Sequence, residues 1–188
     1  MSSRKLCAWV AAVSLGVGVG CTTDPLEVPG LADGEVFTAT LAGTEEVPVV
    51  TTPASGTARI VIVADTFLSI QVNVASIDST TLSHIHDGAG GVNGPVIVTL
   101  YTGATACRNS TGGLINGTSP RCKVGYTGPL AQRLFTPSQL TQLPATWGTT
   151  PRARFDSLLV MMRTSNVYVN VHNRANPGGH VRGQVQPS

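Results

Sequence analysis

The chain has 188 residues, enough for one domain with a sizeable core and too few for two comfortable ones. Charged residues make up 12% and aromatics 5%, while glycine, threonine, valine and serine are abundant, which suits strands and turns rather than helical bundles. The formal charge of +2 belongs to Arg4 and Lys5; beyond residue 20 ten basic residues face ten acidic ones, so a nucleic-acid-binding surface has no support.

Arg4 and Lys5 precede an apolar, small-residue run from 6 to 20, the charged start and short hydrophobic stretch of a secretory signal. The run is too short and too rich in glycine for a membrane-spanning helix. Residues 1–20 are therefore expected to be a signal peptide. The sequence Gly18-Val-Gly-Cys21 resembles a bacterial lipoprotein cleavage site, with Gly18 where leucine is usual. That resemblance implies lipidation of Cys21 and a domain tethered to a membrane surface, periplasmic or on the cell exterior. Ordinary cleavage near the same place would give a secreted protein instead. Residues 21–34 read as anchor and linker, because Pro25, Pro29, Gly30 and Gly34 keep them out of regular structure.

The β domain is expected over 35–188. Phe37, Ala39 and Leu41 alternate with Thr38 and Thr40, so the first three should face inward. Strands follow at 56–64 and 66–75, joined as a hairpin at Asp65. Two more, at 81–86 and 95–101, flank a glycine-rich turn. Cys107 and Cys122 bracket a polar loop and read as a disulfide in an oxidising compartment. Closing a loop of that size contributes roughly 3 kcal/mol in the chain-entropy model. Thr136 and Pro137 predict a short helix over 136–143. The run 155–163 fits either a helix capped by Asp156 or a buried strand. Strands at 166–172 and 180–186 close the chain. About eight short strands without βαβ alternation predict an all-β fold, an antiparallel Greek-key sandwich or barrel with one or two short helices.

The four histidines stand out. His84 and His86 are two residues apart on one strand and share a face, with Ile85 on the other. Val167, Val169 and Val171 alternate with Tyr168, Asn170 and His172, and Val181 and Val185 with His180, Arg182 and Gln184. All four imidazoles are therefore expected on the outer, polar face, with the tail folding back to bring His172 beside the first pair. A His-x-His pair plus one distant histidine supplies three ligands for one copper or zinc ion, with a fourth position left for water or substrate. The alternative is that the rings only anchor the neighbouring turns by hydrogen bonds. No serine or cysteine nucleophile stands out, and Gly88 to Gly94 lead into a second strand rather than a helix, so they read as turn chemistry.

Taken together, Phe37-Thr-Ala-Thr-Leu-Ala-Gly43, Glu46-Val-Pro-Val-Val50, His84-Ile-His86 with Asn93-Gly-Pro-Val96, and Tyr168-Val-Asn-Val-His172 with Asn176-Pro-Gly-Gly179 and Arg182-Gly-Gln184 resemble the CHRD family. Val49 stands where a second proline is common, and His180 where an acidic residue is expected. A second, fainter similarity is to copper-zinc superoxide dismutase. It implies copper ligands at His84, His86 and His172 and an anion-guiding arginine at Arg182, with His180 beside it. That enzyme uses more histidines than this chain has, so a dinuclear site is excluded by inventory. The resemblances favour a non-enzymatic module of the cell envelope that binds a protein or glycan. A mononuclear copper or zinc binder is the alternative, and a reduced dismutase comes third.

Overall fold

The computed structural model describes residues 33–103, 120 and 122–188. The expected signal peptide, Cys21 and Cys107 lie outside the described residues, so neither the anchor nor the Cys107–Cys122 pairing is addressed by the fold.

Strand β1 (Asp33–Ala42) starts two residues inside the stretch read as linker. It buries Phe37, Ala39 and Leu41 and exposes Thr38 and Thr40, as the alternation requires. Strands β2 (Ser55–Val63) and β3 (Phe67–Ile77) pair antiparallel, with Ile60 opposite Ile70 and Ile62 opposite Leu68. Their turn places both Ala64 and Asp65 at positive φ, 49° and 53°, and Thr66 N–H donates to the Val63 carbonyl at 3.1 Å. This is the mirror-image turn whose twist matches that of the strands it joins.

The remaining elements are β4 (Thr80–Asp87), β5 (Val96–Thr102), β6 (Tyr126–Phe135), helix α1 (Pro151–Arg163), β7 (Val167–Asn173), β8 (Val181–Gln184) and the two-residue β9 (Gln186–Pro187). Among the described residues the sheet order is β5-β4-β7-β8-β1-β2-β3-β6, antiparallel throughout, with β9 on β1. The sheet curls into a nearly closed barrel rather than two stacked layers. Its edges, β5 and β6, are linked where Arg133 Nε–H donates to the Leu100 carbonyl at 3.1 Å. The interior is one apolar cluster that takes Ile85 from β4, Val169 and Val171 from β7 and Val181 from β8. Helix α1 adds Phe155, Leu158, Leu159 and Met162 to it.

Three local expectations are corrected. Strand β6 was not anticipated, because Gly128-Pro129 interrupts it. Proline is tolerated there because β6 is an edge and the ladder slips at that point, between Val72 and Asn73 of β3. The open reading of 155–163 resolves to helix, and the cap is Thr150 rather than Asp156. The Thr150 hydroxyl accepts from Ala153 N–H at 3.2 Å, and Pro151 takes the first helical position. Asp156 instead pairs with Arg152 at 2.8 Å on the exposed face. The helix expected over 136–143 is a single 3-10 turn, Pro137–Gln139, whose Thr136 N–H donates to Gln139 Oε1 at 2.9 Å.

Candidate metal centre

The barrel register assembles the histidine face. On β4 and β7, Leu82 stands opposite His172, His84 opposite Asn170, and His86 opposite Tyr168. On β7 and β8, Asn170 stands opposite Arg182 and Tyr168 opposite Gln184. The apolar partners of these residues point into the core, so the expected side of the sheet is the observed one.

That side is nonetheless shielded from solvent. His84, His86 and His180 are each 8% exposed and His172 is 6% exposed. The outer face is polar but covered. One cover is the segment 88–94, the glycine turn, which is held at both ends and in the middle. Gly88 N–H donates to the Asn166 carbonyl at 2.8 Å, Gly94 N–H to the Tyr168 hydroxyl at 3.2 Å, and Gln184 Nε2 to the Gly88 carbonyl at 2.9 Å. The Arg182 guanidinium donates to the carbonyls of Ala89 at 3.1 Å and Val92 at 2.7 Å and to Asn93 Oδ1 at 3.3 Å. The other cover is the segment 174–179 of the tail.

Both covers also set the imidazoles. A carbonyl oxygen only accepts, so a ring nitrogen beside one carries the hydrogen. His86 Nδ1 donates to the Gly94 carbonyl at 2.8 Å, and His172 Nδ1 donates to the Pro177 carbonyl at 2.9 Å. Each ring therefore turns a bare Nε2 toward the shared space. Among the described residues, His86 Nε2 is buried without a hydrogen-bond partner. His172 Nε2 is 3.1 Å from His84 Nδ1, which donates to it in the metal-free protein. The ligand atoms of the three residues all lie within 4.8 Å of one another. Bonds of 2.0–2.1 Å to a tetrahedral ion place nitrogens about 3.3 Å apart; the His84–His172 pair is already at 3.1 Å, and a set spread over as much as 4.8 Å would have to close up around an ion. The outer-shell carbonyls are the partners a ligating histidine ordinarily has.

His86 and His172 are also in the protonation state that ligation needs, whereas His84 has to pass its Nδ1 hydrogen to Nε2 before Nδ1 can ligate. Burial, aided by the charges of His172 and His86, pushes His84 down to about 4. Burial lowers His86 as well, against the Gly94 carbonyl and the Asn170 side chain, which favour its protonated form. It lowers His172 against the Pro177 carbonyl. The three rings are therefore neutral near neutrality, and a second proton does not compete with an ion for them.

Beside the three rings, Tyr168 lies flat on His86, with centroids 4.7 Å apart and planes at 8°. Arg182 lies 3.4 Å from the centroid of Tyr168. At 2% exposure, with Nη1 and Nη2 donating to residues 89, 92 and 93, Arg182 secures the 88–94 cover. His180 is apart from the cluster. Asn176 Nδ2 donates to its Nδ1 at 2.7 Å, so its Nε2 hydrogen goes to Thr52 Oγ1 at 3.1 Å. That tautomer makes His180 a donor to Thr52, not a base acting on it. Sequence alternation put Tyr168 and Asn170 on the histidine face, but their contacts depend on the register, which alternation leaves open.

A family model described as the CHRD domain matches residues 37–185. No curated protein and no solved structure matches the chain.

Proposed function

The chain belongs to the CHRD family, and from that premise we propose that it is a non-enzymatic binding module whose ligand is one copper or zinc ion, held by His84 Nδ1, His86 Nε2 and His172 Nε2. The observation that carries the reading is the convergence of three buried, neutral imidazoles, two of them oriented by carbonyl acceptors. An all-imidazole donor set suits copper or zinc and does not suit magnesium or calcium, which take oxygen. The closed-in position of Arg182 favours binding over dismutation. Arg4, Lys5, the run 6–20 and Cys21 support an exported, lipid-anchored protein, and Cys107 with Cys122 a disulfide, as parts of the same proposal.

Metal analysis of protein stripped with chelator, refolded with added copper or zinc and freed of unbound ion tests it. The wild type should retain one copper or zinc ion per chain, and His84→Ala and His172→Ala should retain none. Wild type without bound metal would leave the second reading, an envelope protein or glycan as ligand. Exposed Val47, Val49 and Val92, on the two segments before β2 and β5, favour that reading as a contact surface. Superoxide dismutation by the copper-loaded form would contradict the non-enzymatic assignment.

A further inference from the structure

Asn170 occupies the middle of the histidine face. It stands opposite His84, two residues from His172 on its own strand, and diagonal to His86. It is 2% exposed, and among the described residues its amide oxygen has no hydrogen-bond partner. Leaving such an oxygen unpaired costs about 1–3 kcal/mol, which an apolar residue of similar size would avoid. The other unpaired atom of this cluster is His86 Nε2, one of the three nitrogens assigned to the ion.

Three imidazoles leave one position of a tetrahedral ion open. A buried water there needs an acceptor for its hydrogens. The Gly94 and Pro177 carbonyls already accept from the histidines, and the Tyr168 hydroxyl accepts from Gly94 N–H. The Asn170 side chain acts on the His86 ring, whose Nε2 is assigned to the ion, and its oxygen accepts no hydrogen bond from the protein among the described residues. We propose that Asn170 is the positioning residue for the fourth place at the ion: its amide oxygen accepts a hydrogen bond from the water bound there. The site then favours small ligands that carry a hydrogen to donate over anions that only accept. The inference rests on the three-histidine reading.

The test uses the full chain loaded with copper(II), as wild type, Asn170→Leu and Asn170→Asp. Pulsed electron paramagnetic resonance after exchange into deuterated water should show three imidazole couplings in all three proteins. A bound-water deuteron coupling should appear in wild type and in Asn170→Asp, whose oxygen still accepts, and change in Asn170→Leu, where the water keeps its place but loses its fixed orientation. Azide should bind Asn170→Leu roughly three- to tenfold more tightly than wild type, the worth of one hydrogen bond to the displaced water. Asn170→Ala reads the same way if the leucine variant does not fold. An unchanged water coupling and unchanged azide affinity would overturn this inference and leave the three-histidine site standing. Wild type that takes up no copper would overturn both.

Discussion

His86 donates its Nδ1 hydrogen to the carbonyl oxygen of Gly94 across 2.8 Å, and that bond decides which nitrogen of His86 is left for an ion. The position of Gly94 is fixed by space alone. A Cβ there would sit 1.5 Å from the Asp87 carbonyl oxygen and 2.6 Å from its carbon, both backbone atoms that cannot swing aside. Gly94→Ala should therefore move the 88–94 cover, lower stability by about 1–3 kcal/mol and weaken copper or zinc binding about 10–100-fold. Urea denaturation and a competition titration measure the two effects.

Arg182 should be irreplaceable even by lysine. Its planar guanidinium stacks on Tyr168 while donating to Ala89, Val92 and Asn93, which a single ammonium on a flexible stem does not reproduce. Arg182→Lys should cost about 2–3 kcal/mol. Hydrogen exchange should quicken over 88–94 and stay slow in the β2–β3 hairpin. Uniform quickening would show that Arg182 supports the barrel rather than the cover.

Two buried groups make stability depend on pH with opposite signs. His84 sits at about 4 in the folded protein against an ordinary 6.5. In metal-free protein its contribution is complete above 6.5 and disappears as the pH falls to 4, because the unfolded chain takes the proton first. Glu46 is pushed up to about 7 from an ordinary 4.5, chiefly by burial and against the attraction of Arg182 and the Val47 N–H. Its contribution is complete below 4.5 and is lost as the pH rises through 7. Glu46→Gln should therefore gain on metal-free wild type steadily from pH 4.5 to 7, read as urea midpoints. Parallel curves for the two proteins would contradict the assignment.

Periodicity of two made much of this legible in advance. It put Phe37, Ala39 and Leu41 inside, set Ile85 against the histidines flanking it, and brought His172 to His84 from 88 residues away. What it missed has physical reasons. Strand β6 carries Gly128 and Pro129, which read as a break unless the strand is known to be an edge. The start of α1 lay in Thr150-Pro151, ahead of the apolar run that drew attention to Asp156. Burial of the histidines comes from loops laid over a polar face, and alternation describes only the strands beneath. The orientation of each ring rests on the carbonyls of Gly94 and Pro177, contacts made by backbone that any residue carries.

Core and site should separate under mutation. Phe155 is fully buried in the barrel interior and belongs to α1, which supplies none of the ring-orienting contacts. Phe155→Ala should cost about 3–5 kcal/mol and leave metal stoichiometry in the folded fraction unchanged. Loss of the ion from folded Phe155→Ala would mean that the helix, and not only the two covers, holds the histidines in place.

The most direct measurement is X-ray absorption at the metal edge of the stoichiometrically loaded wild type. Three imidazole nitrogens at about 2.0–2.1 Å are expected, with the imidazole pattern reduced by one ring in His86→Ala. A shell containing sulfur or carboxylate oxygen, or an imidazole count indifferent to His86→Ala, would contradict a site built from His84, His86 and His172.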